Sequence, residues 1–342
     1  NDAGTFTDVT DELGVGQESQ CRSAHAADVN GDGWLDLYIV NMNTPNAFWL
    51  SDGEGGFNDI YYASGATDNL IGMGALFLDI ENDGDQDLYL THDANQANKL
   101  YINDGTGSFV NAASDWGLDL QSQGMGVDAT DLNHDGYLDI FVSNNLPNDL
   151  FINPGPQPEN GPVLPFENIT ETAGVGDGGM GWGTAFIDHD HDGDRDLYVA
   201  NDYGRNNLYQ QTNGKFRDIA NQLGLEDMSS GMSVAWGDYN RDGNMDLYVS
   251  NMFSAAGNRI TYQRQFQTQT NDSVRQIFQR HARGNSLFQG MGQGKFQDVS
   301  VASNVTMGRW AWGSSFIDVN NDSWRDLIVA NGFITAEDTG DL

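Results

Sequence analysis

The chain has 342 residues, and its 50 Asp and Glu against 15 Lys and Arg give a formal net charge of −35. Hydrophobic residues make up 38 % and aromatic residues 11 %, which is enough for a sizeable folded core. The charge excludes nucleic acid as a favoured partner, because phosphate binding needs a basic surface, and it favours cations and basic surfaces instead.

In chain order, the first predicted element is an N-terminal strand over GTFTDVT, residues 4–10. Six related acidic segments follow, and the first of them is DVNGDGWLD at 28–36. The other five begin at Asp79, Asp131, Asp188, Asp238 and Asp318. Successive copies start 51, 52, 57, 50 and 80 residues apart. The repeat is therefore about 50 residues long, a period that is typical of β-propeller blades, and the fifth copy carries an insertion of roughly 30 residues.

Each repeat is predicted to form four strands. A small, apolar stretch such as GMGALFL at 72–78 precedes the acidic segment, and an unbroken apolar strand such as LYIVN at 37–41 follows it. The third strand is an Asn-rich run such as NKLYIN at 98–103, and a Gly-rich turn leads to a fourth strand that follows a recurrent Phe, such as Phe109.

The last repeat stops after its second strand, so the N-terminal strand over 4–10 is predicted to complete its sheet and to cover a bare edge. The predicted fold class is all-β: a β-propeller of four-stranded blades, with six blades visible and seven as the alternative. Residues 1–342 are predicted to form a single propeller domain.

The insertion spans residues 252–284 and differs in character from the repeats. Asn271 or Asp272 can cap a helix there, with apolar residues at helical spacing on one face. Against the single acid Asp272 it holds five basic residues, Arg259, Arg264, Arg275, Arg280 and Arg283. Two interpretations are open: the helix lies across the edge of a blade, or it docks a partner with an acidic surface, including a second copy of the chain.

The acidic segments follow the pattern D-x-[D/N]-x-D-G-x-x-D, in which a sharp turn at position 6 lets several oxygens converge on one ion. The side chains at positions 1, 3, 5 and 9 and the backbone carbonyl at position 7 are the predicted ligands. Hard oxygen ligands in this number indicate Ca²⁺, because Mg²⁺ demands a tighter octahedron and keeps its waters. Up to six calcium ions are expected, one for each loop.

The predicted ligands of the first three loops are Asp28, Asn30, Asp32, Trp34 and Asp36; Asp79, Glu81, Asp83, Asp85 and Asp87; and Asp131, Asn133, Asp135, Tyr137 and Asp139. Those of the last three are Asp188, Asp190, Asp192, Asp194 and Asp196; Asp238, Asn240, Asp242, Asn244 and Asp246; and Asp318, Asn320, Asp322, Trp324 and Asp326. Glu81 is longer than the usual residue at position 3. Ser323 replaces Gly at position 6, where a left-handed backbone costs about 1 kcal/mol, so the sixth site is expected to be the weakest.

Two alternatives to a propeller calcium loop account for less of this pattern. Solvated Asp/Asn/Gly turns are common, but six copies in register favour a metal site. An EF-hand needs Glu at position 12 and flanking helices, whereas position 12 here lies inside a strand. The residues at that position are Ile39, Leu90, Val142, Val199, Val249 and Val329.

The loop-then-strand unit resembles the FG-GAP and VCBS-type repeats, as in the propeller of integrin α subunits. The GMG or GWG stretch with F-x-D-V-T is similar to bacterial cartilage-acidic-protein-like repeat proteins. The resemblance implies a calcium-stabilised propeller, extracellular or periplasmic, that serves adhesion or protein binding, usually with seven blades. Related propellers occur in lectins and polysaccharide lyases, so a carbohydrate-active protein is the alternative function.

Catalytic constellations are scarce, and a non-enzymatic protein is predicted. His189 and His191 occupy even positions of the fourth loop, where side chains are expected to point away from the ion. A second set of residues stands at the start of the first strands, and it is expected either to pack around the propeller axis or to form a ligand ring. This set is Met73, Met125, Met180, Trp182, Met232, Trp310 and Trp312.

The remaining signals concern the compartment. Cys21 is the single cysteine, so no internal disulfide is possible, and its role stays open. No apolar run approaches the roughly 18 residues that span a bilayer. No signal peptide is visible, so an exported protein is expected to have lost its targeting segment before Asn1.

Overall fold

The computed structural model describes residues 5–17, 19–145, 147–158, 161–176 and 178–332. The chain separates into two compact units: Phe6–Gly178, and Gly179–Leu342 together with Asn1–Thr5. The prediction of one domain over residues 1–342 stays a prediction.

The unit Phe6–Gly178 contains three four-stranded antiparallel sheets, with the strand orders β1-β2-β3-β4, β5-β6-β8-β9 and β11-β12-β13-β14, and a small pair of strands, β7 and β10. The strands are β1 (Cys21–Ala27), β2 (Asp36–Asn41), β3 (Ala47–Ser51), β4 (Phe57–Asp59), β5 (Gly72–Leu78), β6 (Asp87–His92), β7 (Gln96–Ala97), β8 (Lys99–Asn103), β9 (Phe109–Asn111), β10 (Gln121–Ser122), β11 (Gly124–Thr130), β12 (Asp139–Asn144), β13 (Asp149–Ile152) and β14 (Glu167–Asn168). Its short helices are α1 (Thr10–Leu13), α2 (Tyr61–Ser64) and α3 (Thr170–Ala173).

The other unit contains two four-stranded sheets, β15-β16-β17-β18 and β19-β20-β21-β22, and the pair β23-β24. Its strands are β15 (Gly181–Ile187), β16 (Asp196–Asn201), β17 (Asn207–Thr212), β18 (Lys215–Asp218), β19 (Gly231–Gly237), β20 (Asp246–Asn251), β21 (Ser286–Gly290), β22 (Phe296–Asp298), β23 (Ala311–Ile317) and β24 (Asp326–Asn331). Its helices are α4 (Ala220–Leu223), α5 (Ala255–Thr261) and α6 (Asp272–Arg283).

The sheets confirm the predicted fold class, an all-β propeller of four-stranded blades. Consecutive strands pair as antiparallel neighbours, and β5 coincides with the predicted first strand GMGALFL. In β6, β12, β16 and β20 every residue is buried, which is why the second strands have an unbroken apolar sequence. Five sheets have four strands, and the sixth has two within the described residues.

The predicted N-terminal strand over 4–10 is not present in its described part. Only Thr5 makes an isolated bridge, residues 6–9 carry no strand, and α1 begins at Thr10. A fourth strand needs a third strand as its neighbour, and within the described residues the sixth sheet has none. The short helix and its left-handed Gly14 nevertheless follow Phe6 as α2 and Gly65 follow Phe57.

The apolar core lies between successive sheets of each unit. In the first unit, Tyr38 and Phe48 of one sheet pack with Leu88 and Phe109 of the next. In the second unit, β15 and β19 approach so closely that a Cβ added at Gly183 would lie 2.6 Å from the Ser233 Cα. Glycine at that position is therefore required by packing between two first strands.

A buried Tyr–Asn hydrogen bond recurs in the sheets and explains the Asn-rich start of the third strands. The Asn46 side-chain amide donates to the Tyr38 hydroxyl at 3.1 Å, while its oxygen accepts the Asn41 backbone N–H at 2.8 Å. The Tyr38 hydroxyl in turn donates to the Ala66 carbonyl, in the connection to the next sheet, at 3.2 Å. The same Asn-to-Tyr bond joins the pairs Asn98–Tyr89, Asn206–Tyr198 and Asn285–Tyr248.

The insertion folds as the helix pair α5 and α6 between β20 and β21. The side-chain oxygen of Asn271 accepts the Val274 backbone N–H at 3.0 Å, which confirms the predicted cap of α6. In the described part of the chain, no helix has both the length and the apolar character that crossing a membrane requires.

Candidate metal loops

Six nine-residue loops join the first and second strands of the sheets, and all have the same backbone turn. Position 6 has a left-handed φ in every loop, from 69° at Ser323 to 102° at Gly84. Position 4 is left-handed as well, as at Gly31 and Asn321, which the sequence pattern did not indicate. Two left-handed residues fold each loop back on itself, so that its acidic side chains face one another.

The Asp at position 1 organises the turn. Asp28 accepts the backbone N–H of Asp32 at 3.1 Å and that of Gly33 at 2.8 Å, one on each carboxylate oxygen. Asp79, Asp131, Asp188, Asp238 and Asp318 make the same two bonds in their loops. An ionised carboxylate is the natural acceptor for two amides, so this residue type is required even before a metal is considered.

Positions 3 and 5 bring their oxygens to the same place. In the fourth loop, one oxygen from each of Asp188, Asp190 and Asp192 lies within 4.8 Å of the other two. In the first loop the Asn30 side-chain amide donates to Asp32 at 2.9 Å, and Asn133, Asn240 and Asn320 repeat that contact with Asp135, Asp242 and Asp322. Glu81 and Asp83 are the corresponding residues of the second loop.

Position 7 turns its side chain outward in the loops with a large residue there. Trp34 is 55 % exposed and Trp324 is 49 % exposed. Its backbone N–H donates to the position 5 carboxylate, at 2.9 Å from Trp34 to Asp32. Tyr137, Asp194, Asn244 and Asp85 make the same backbone bond in their loops.

The Asp at position 9 begins each second strand and is held by backbone amides. Asp139 is fully buried and accepts the N–H of Leu132 at 2.9 Å and that of Asn153, on the third strand, at 2.8 Å. Asp36, Asp87, Asp196 and Asp246 are equally buried and bonded in the same way. In the sixth loop Asp326 is half-buried and accepts only Val319 N–H, because no third strand covers it within the described residues.

Several carboxylates in these loops have a raised pKa, which shows that their charged form is disfavoured. Burial raises the pKa of Asp87 to about 7; amide hydrogen bonds oppose this rise, and repulsion from Asp85 and Glu81 adds to it. The pKa values of Asp139 and Asp246 are raised to about 6, mainly by burial. Burial and the neighbouring acids raise the pKa of Asp85 to about 6. A bound cation would relieve both the burial cost and the repulsion.

Two carboxylate oxygens in these loops have no hydrogen-bond partner although they are buried: Asp85 Oδ1 and Asp190 Oδ1. Asp190 uses its other oxygen to accept Gln210 Nε2 at 2.7 Å. An orphaned, buried carboxylate oxygen is costly unless a cation or a donor reaches it. The donor set, all hard oxygens, therefore fits Ca²⁺.

Two of the sequence expectations for these loops have structural outcomes. Ser323 adopts the strained left-handed φ of 69° that was predicted for it. The expectation that His189 points away from the acids is wrong, because its ring is buried and Nδ1 contacts the Asp196 carboxylate. The contact with Asp196 holds the ring inward, whereas His191 is exposed as expected.

The arginines of the insertion fall into two groups. Arg280 Nε lies 3.2 Å from a carboxylate oxygen of the fully buried Asp227, and Arg283 Nη1 lies 3.0 Å from Asp298. Arg280 and Arg283 therefore bind the blade of their own chain, as expected if the helix lies across the edge of a blade, and the partner interpretation of the insertion stays a prediction. Arg275 lies 3.9 Å from Asp272. Arg259 and Arg264 are exposed and make no ion pair within the described residues.

The apolar residues that open the first strands are partly or fully buried, and three of their tryptophans contact one another. Met125 and Met232 are buried, which supports core packing as their role. The rings of Trp182 and Trp312 lie 5.6 Å apart, and those of Trp310 and Trp312 lie 6.4 Å apart, while Met73 and Met180 are half-buried. Cys21 is an exposed free thiol.

Four-stranded blades with an acidic Asp/Gly loop between the first and second strands define a class of repeat propellers. The family model described as "FG-GAP-like repeat" matches residues 28–90, 79–142, 131–199 and 188–249, which together cover more than half of the chain. The chain belongs to the FG-GAP-like repeat family. The sixth loop, 318–326, lies outside these matches.

The chain is also similar to cartilage acidic protein 1. It is 29 % identical to the Xenopus tropicalis protein over 224 residues, which is 57 % of this chain and 34 % of that protein. It is 31 % identical to the Homo sapiens protein over 145 residues, 38 % of this chain and 22 % of that protein. The chain thus spans about a third or less of these relatives.

Among solved structures, BBS1N in complex with ARL6DN covers 91 % of this chain and 76 % of its own, with a TM-score of 0.51 and 11 % identity. At that identity the likeness concerns the fold alone.

Proposed function

We propose that this chain is a calcium-stabilised, non-enzymatic propeller that acts outside the cytoplasm, in an extracellular or periplasmic space, as a protein-binding or assembly subunit. The observation that carries the proposal is the loop itself, repeated six times with one hydrogen-bond pattern. In every loop the Asp at position 1 already satisfies two turn amides, and in the fourth loop oxygens of Asp188, Asp190 and Asp192 lie within 4.8 Å of one another. The calcium would be held by positions 1, 3, 5 and 9 and by the position 7 carbonyl.

The ion would supply charge neutralisation rather than reactivity. Six divalent ions would reduce the formal charge of −35 to about −23. Each ion would also tie the start of a second strand to the preceding turn, since position 9 belongs to that strand. Calcium is therefore expected to stabilise the fold, as ligands that bind only the native state do.

The extracytoplasmic location is supported by the same chemistry. Calcium loops of extracellular modules work with dissociation constants of about 10⁻⁴ to 10⁻³ M, which only calcium-rich compartments satisfy. Oxygen ligands from a nine-residue loop with a strained turn, as at Ser323, suit this weak range. Protein binding is favoured over catalysis because the loop acids have structural partners.

Thermal unfolding with saturating calcium and with excess EDTA tests the proposal. Each occupied site contributes about 2.7 kcal/mol at a calcium concentration one hundred times its dissociation constant, so EDTA should lower the midpoint strongly. Equal Mg²⁺ should restore less stability. An unchanged midpoint in EDTA would show that the loops are ordinary turns.

A pair of variants tests the ranking of the sites. Asp192→Ala removes one of four predicted carboxylate ligands from a loop with a glycine turn, whereas Asp322→Ala acts in the loop strained at Ser323, where Asp326 is incompletely covered. Asp192→Ala should therefore lose more of the calcium-dependent stabilisation. The reverse order would mean that neither ligand charge nor turn strain sets the affinity.

A further inference from the structure

The helix pair of the insertion presents apolar and basic side chains together on an otherwise acidic chain. Ile260 is 49 % exposed and Tyr262 is 65 % exposed on the α5 side, and Ile277 and Phe278 are 36 % and 41 % exposed on α6. We call these four residues, with Arg259 and Arg264, the insertion surface. Ile277 and Phe278 belong to the apolar face of α6, and side chains on such a face are ordinarily buried.

Hydrogen bonds and ring contacts hold the surface together. Gln279 Nε2 donates to the Thr261 carbonyl at 3.2 Å, which fixes α6 beside the end of α5. Phe266 packs edge-on against Phe278 with the ring centroids 5.5 Å apart. The exposed Tyr262 follows directly after Thr261 in the chain. The aromatic residues thus share one end of the helix pair.

Contacts with α5 and with the blade hold α6 in place. The buried Ala282 packs beside Gly257, and its carbonyl accepts Asn258 Nδ2 at 3.0 Å. The Ser229 hydroxyl donates to the Arg280 carbonyl at 3.1 Å. With Arg280 and Arg283 bound to blade carboxylates, the helix cannot turn its apolar side inward without breaking these contacts.

Charge decides which occupant fits. Two of the five arginines are neutralised by Asp227 and Asp298, and Arg275 faces Asp272. Arg259 and Arg264 remain as exposed positive charges beside the apolar residues, on a chain whose formal charge is −35. Tyr and Arg are the residue types that dominate binding energy at protein interfaces.

We infer that the insertion surface binds an acidic segment of another protein that also carries apolar side chains, an inference that rests on the proposed protein-binding function. Face-to-face pairing of two copies would oppose arginine to arginine and bring two strongly negative chains together. An anionic membrane would face the acidic remainder of the chain over a wide area, whereas a short acidic segment meets only the insertion surface. An acidic, apolar segment satisfies the arginines and covers the aromatic rings at once.

Fluorescence anisotropy with a labelled synthetic peptide of repeated Glu-Glu-Leu-Phe units tests the inference, with the full chain in calcium. The peptide should bind, and its affinity should fall as salt rises. Peptides with Lys in place of Glu, or with Ser in place of Leu and Phe, should bind at least about tenfold more weakly. The inference would be overturned if the Lys peptide bound as tightly as the Glu peptide, or if no peptide bound.

Variants locate the binding on the chain. Arg259→Glu with Arg264→Glu, and separately Tyr262→Ser, should each raise the dissociation constant about tenfold or more. The matched controls are Arg217→Glu and Tyr203→Ser, both exposed residues outside the insertion, which should change it less than twofold. Controls that weaken binding as much as the insertion variants would place the peptide elsewhere and refute the surface.

Two further measurements separate the alternatives. Light scattering that shows a dimer lost in the Arg259→Glu, Arg264→Glu variant, or binding to phosphatidylserine vesicles lost in it, would overturn the inference in favour of self-association or a membrane. Calcium-dependent melting in the same samples tests the proposed function separately. If calcium still raises the melting temperature but the peptide does not bind, only the inference about this surface is contradicted. If calcium does not change the melting temperature, the proposed function is contradicted.

Discussion

Replacing Arg280 by Ala should destabilise the protein, because the guanidinium pairs with a carboxylate that water does not reach. Asp227 is fully buried, and Arg280 Nε lies 3.2 Å from it. Without Arg280, Asp227 keeps three donors, the Asn251 side-chain amide at 3.1 Å and the backbone N–H groups of Met228 at 2.8 Å and Ser229 at 3.3 Å, but it loses its only cation within the described residues. The Arg280 guanidinium also lies 5.4 Å from the centre of the Phe288 ring.

The magnitude follows from these contacts. A hydrogen bond to a charged group contributes about 1.5–3 kcal/mol, and removing one partner of a fully buried pair costs about 3–5 kcal/mol. The Arg280 side chain is 29 % exposed, which places the expected loss near the lower figures, at about 2–3 kcal/mol. Arg275→Ala is the matched control, since its partner Asp272 is 92 % exposed, and it should cost less than about 0.5 kcal/mol.

Urea unfolding in saturating calcium, followed by tryptophan fluorescence, measures both variants. Asp227→Asn completes a double-mutant cycle. It should destabilise the parent chain, but in the Arg280→Ala background it should restore part of the lost stability, because it removes the unpaired buried charge. An Arg280→Ala loss no larger than that of Arg275→Ala would show that the insertion does not anchor to the blade through this pair.

Two more predictions concern the turn and acid stability. Ser323→Gly should stabilise the chain by about 0.5–1 kcal/mol by removing left-handed strain, and Gly243→Ser, where a Cβ meets nothing within 4 Å, should lose a similar amount; equal unfolding free energies for all three chains would contradict this. At Asp68, burial raises the pKa, but His92 and Lys99 hold it below the ordinary 3.8. The stability that Asp68 contributes should therefore be complete above pH 3.8 and be lost as the pH falls through its lowered pKa. The difference in unfolding free energy between the parent chain and Asp68→Asn should shrink at the lowest pH, and a difference that stays constant would refute this linkage.

The repeats made most of the architecture predictable. The apolar run before D-x-[D/N]-x-D-G-x-x-D predicts the exact bounds of β5, because the loop begins directly after that strand and ends where β6 begins. The left-handed position 4 escaped the pattern, since residues as different as Gly31, His134 and Arg241 occupy it. The short helices after the fourth strands were also missed, although their signal is present: a Gly such as Gly174 ends each with a left-handed φ.

Long-range pairing is what sequence reasoning could not supply. The partner of Arg280 stands 53 residues earlier in the chain, and nothing in the helical pattern of the insertion points to Asp227. The apolar periodicity of α6 did not show how much of that face is covered: Val274 is half-buried, whereas Ile277 and Phe278 are 36 % and 41 % exposed. His189 is a different case, because its partner Asp196 is only seven residues away in the same loop and the alternation of the loop pattern does not determine which way the ring turns.

The recurrent Tyr–Asn bond has a consequence for how such a protein changes over generations. Four of the six repeats, the first, second, fourth and fifth, encode their own tyrosine and asparagine, and the tyrosine hydroxyl donates to a backbone carbonyl in the connection to the next repeat, as at Leu118 and Leu225. A carbonyl is present whatever residue occupies that position. If one such repeat is duplicated or lost in frame in the gene, every remaining tyrosine hydroxyl still has a backbone carbonyl to which it can donate. Whole repeats can therefore be gained or lost during evolution, and the number of blades can change while these hydrogen bonds are kept.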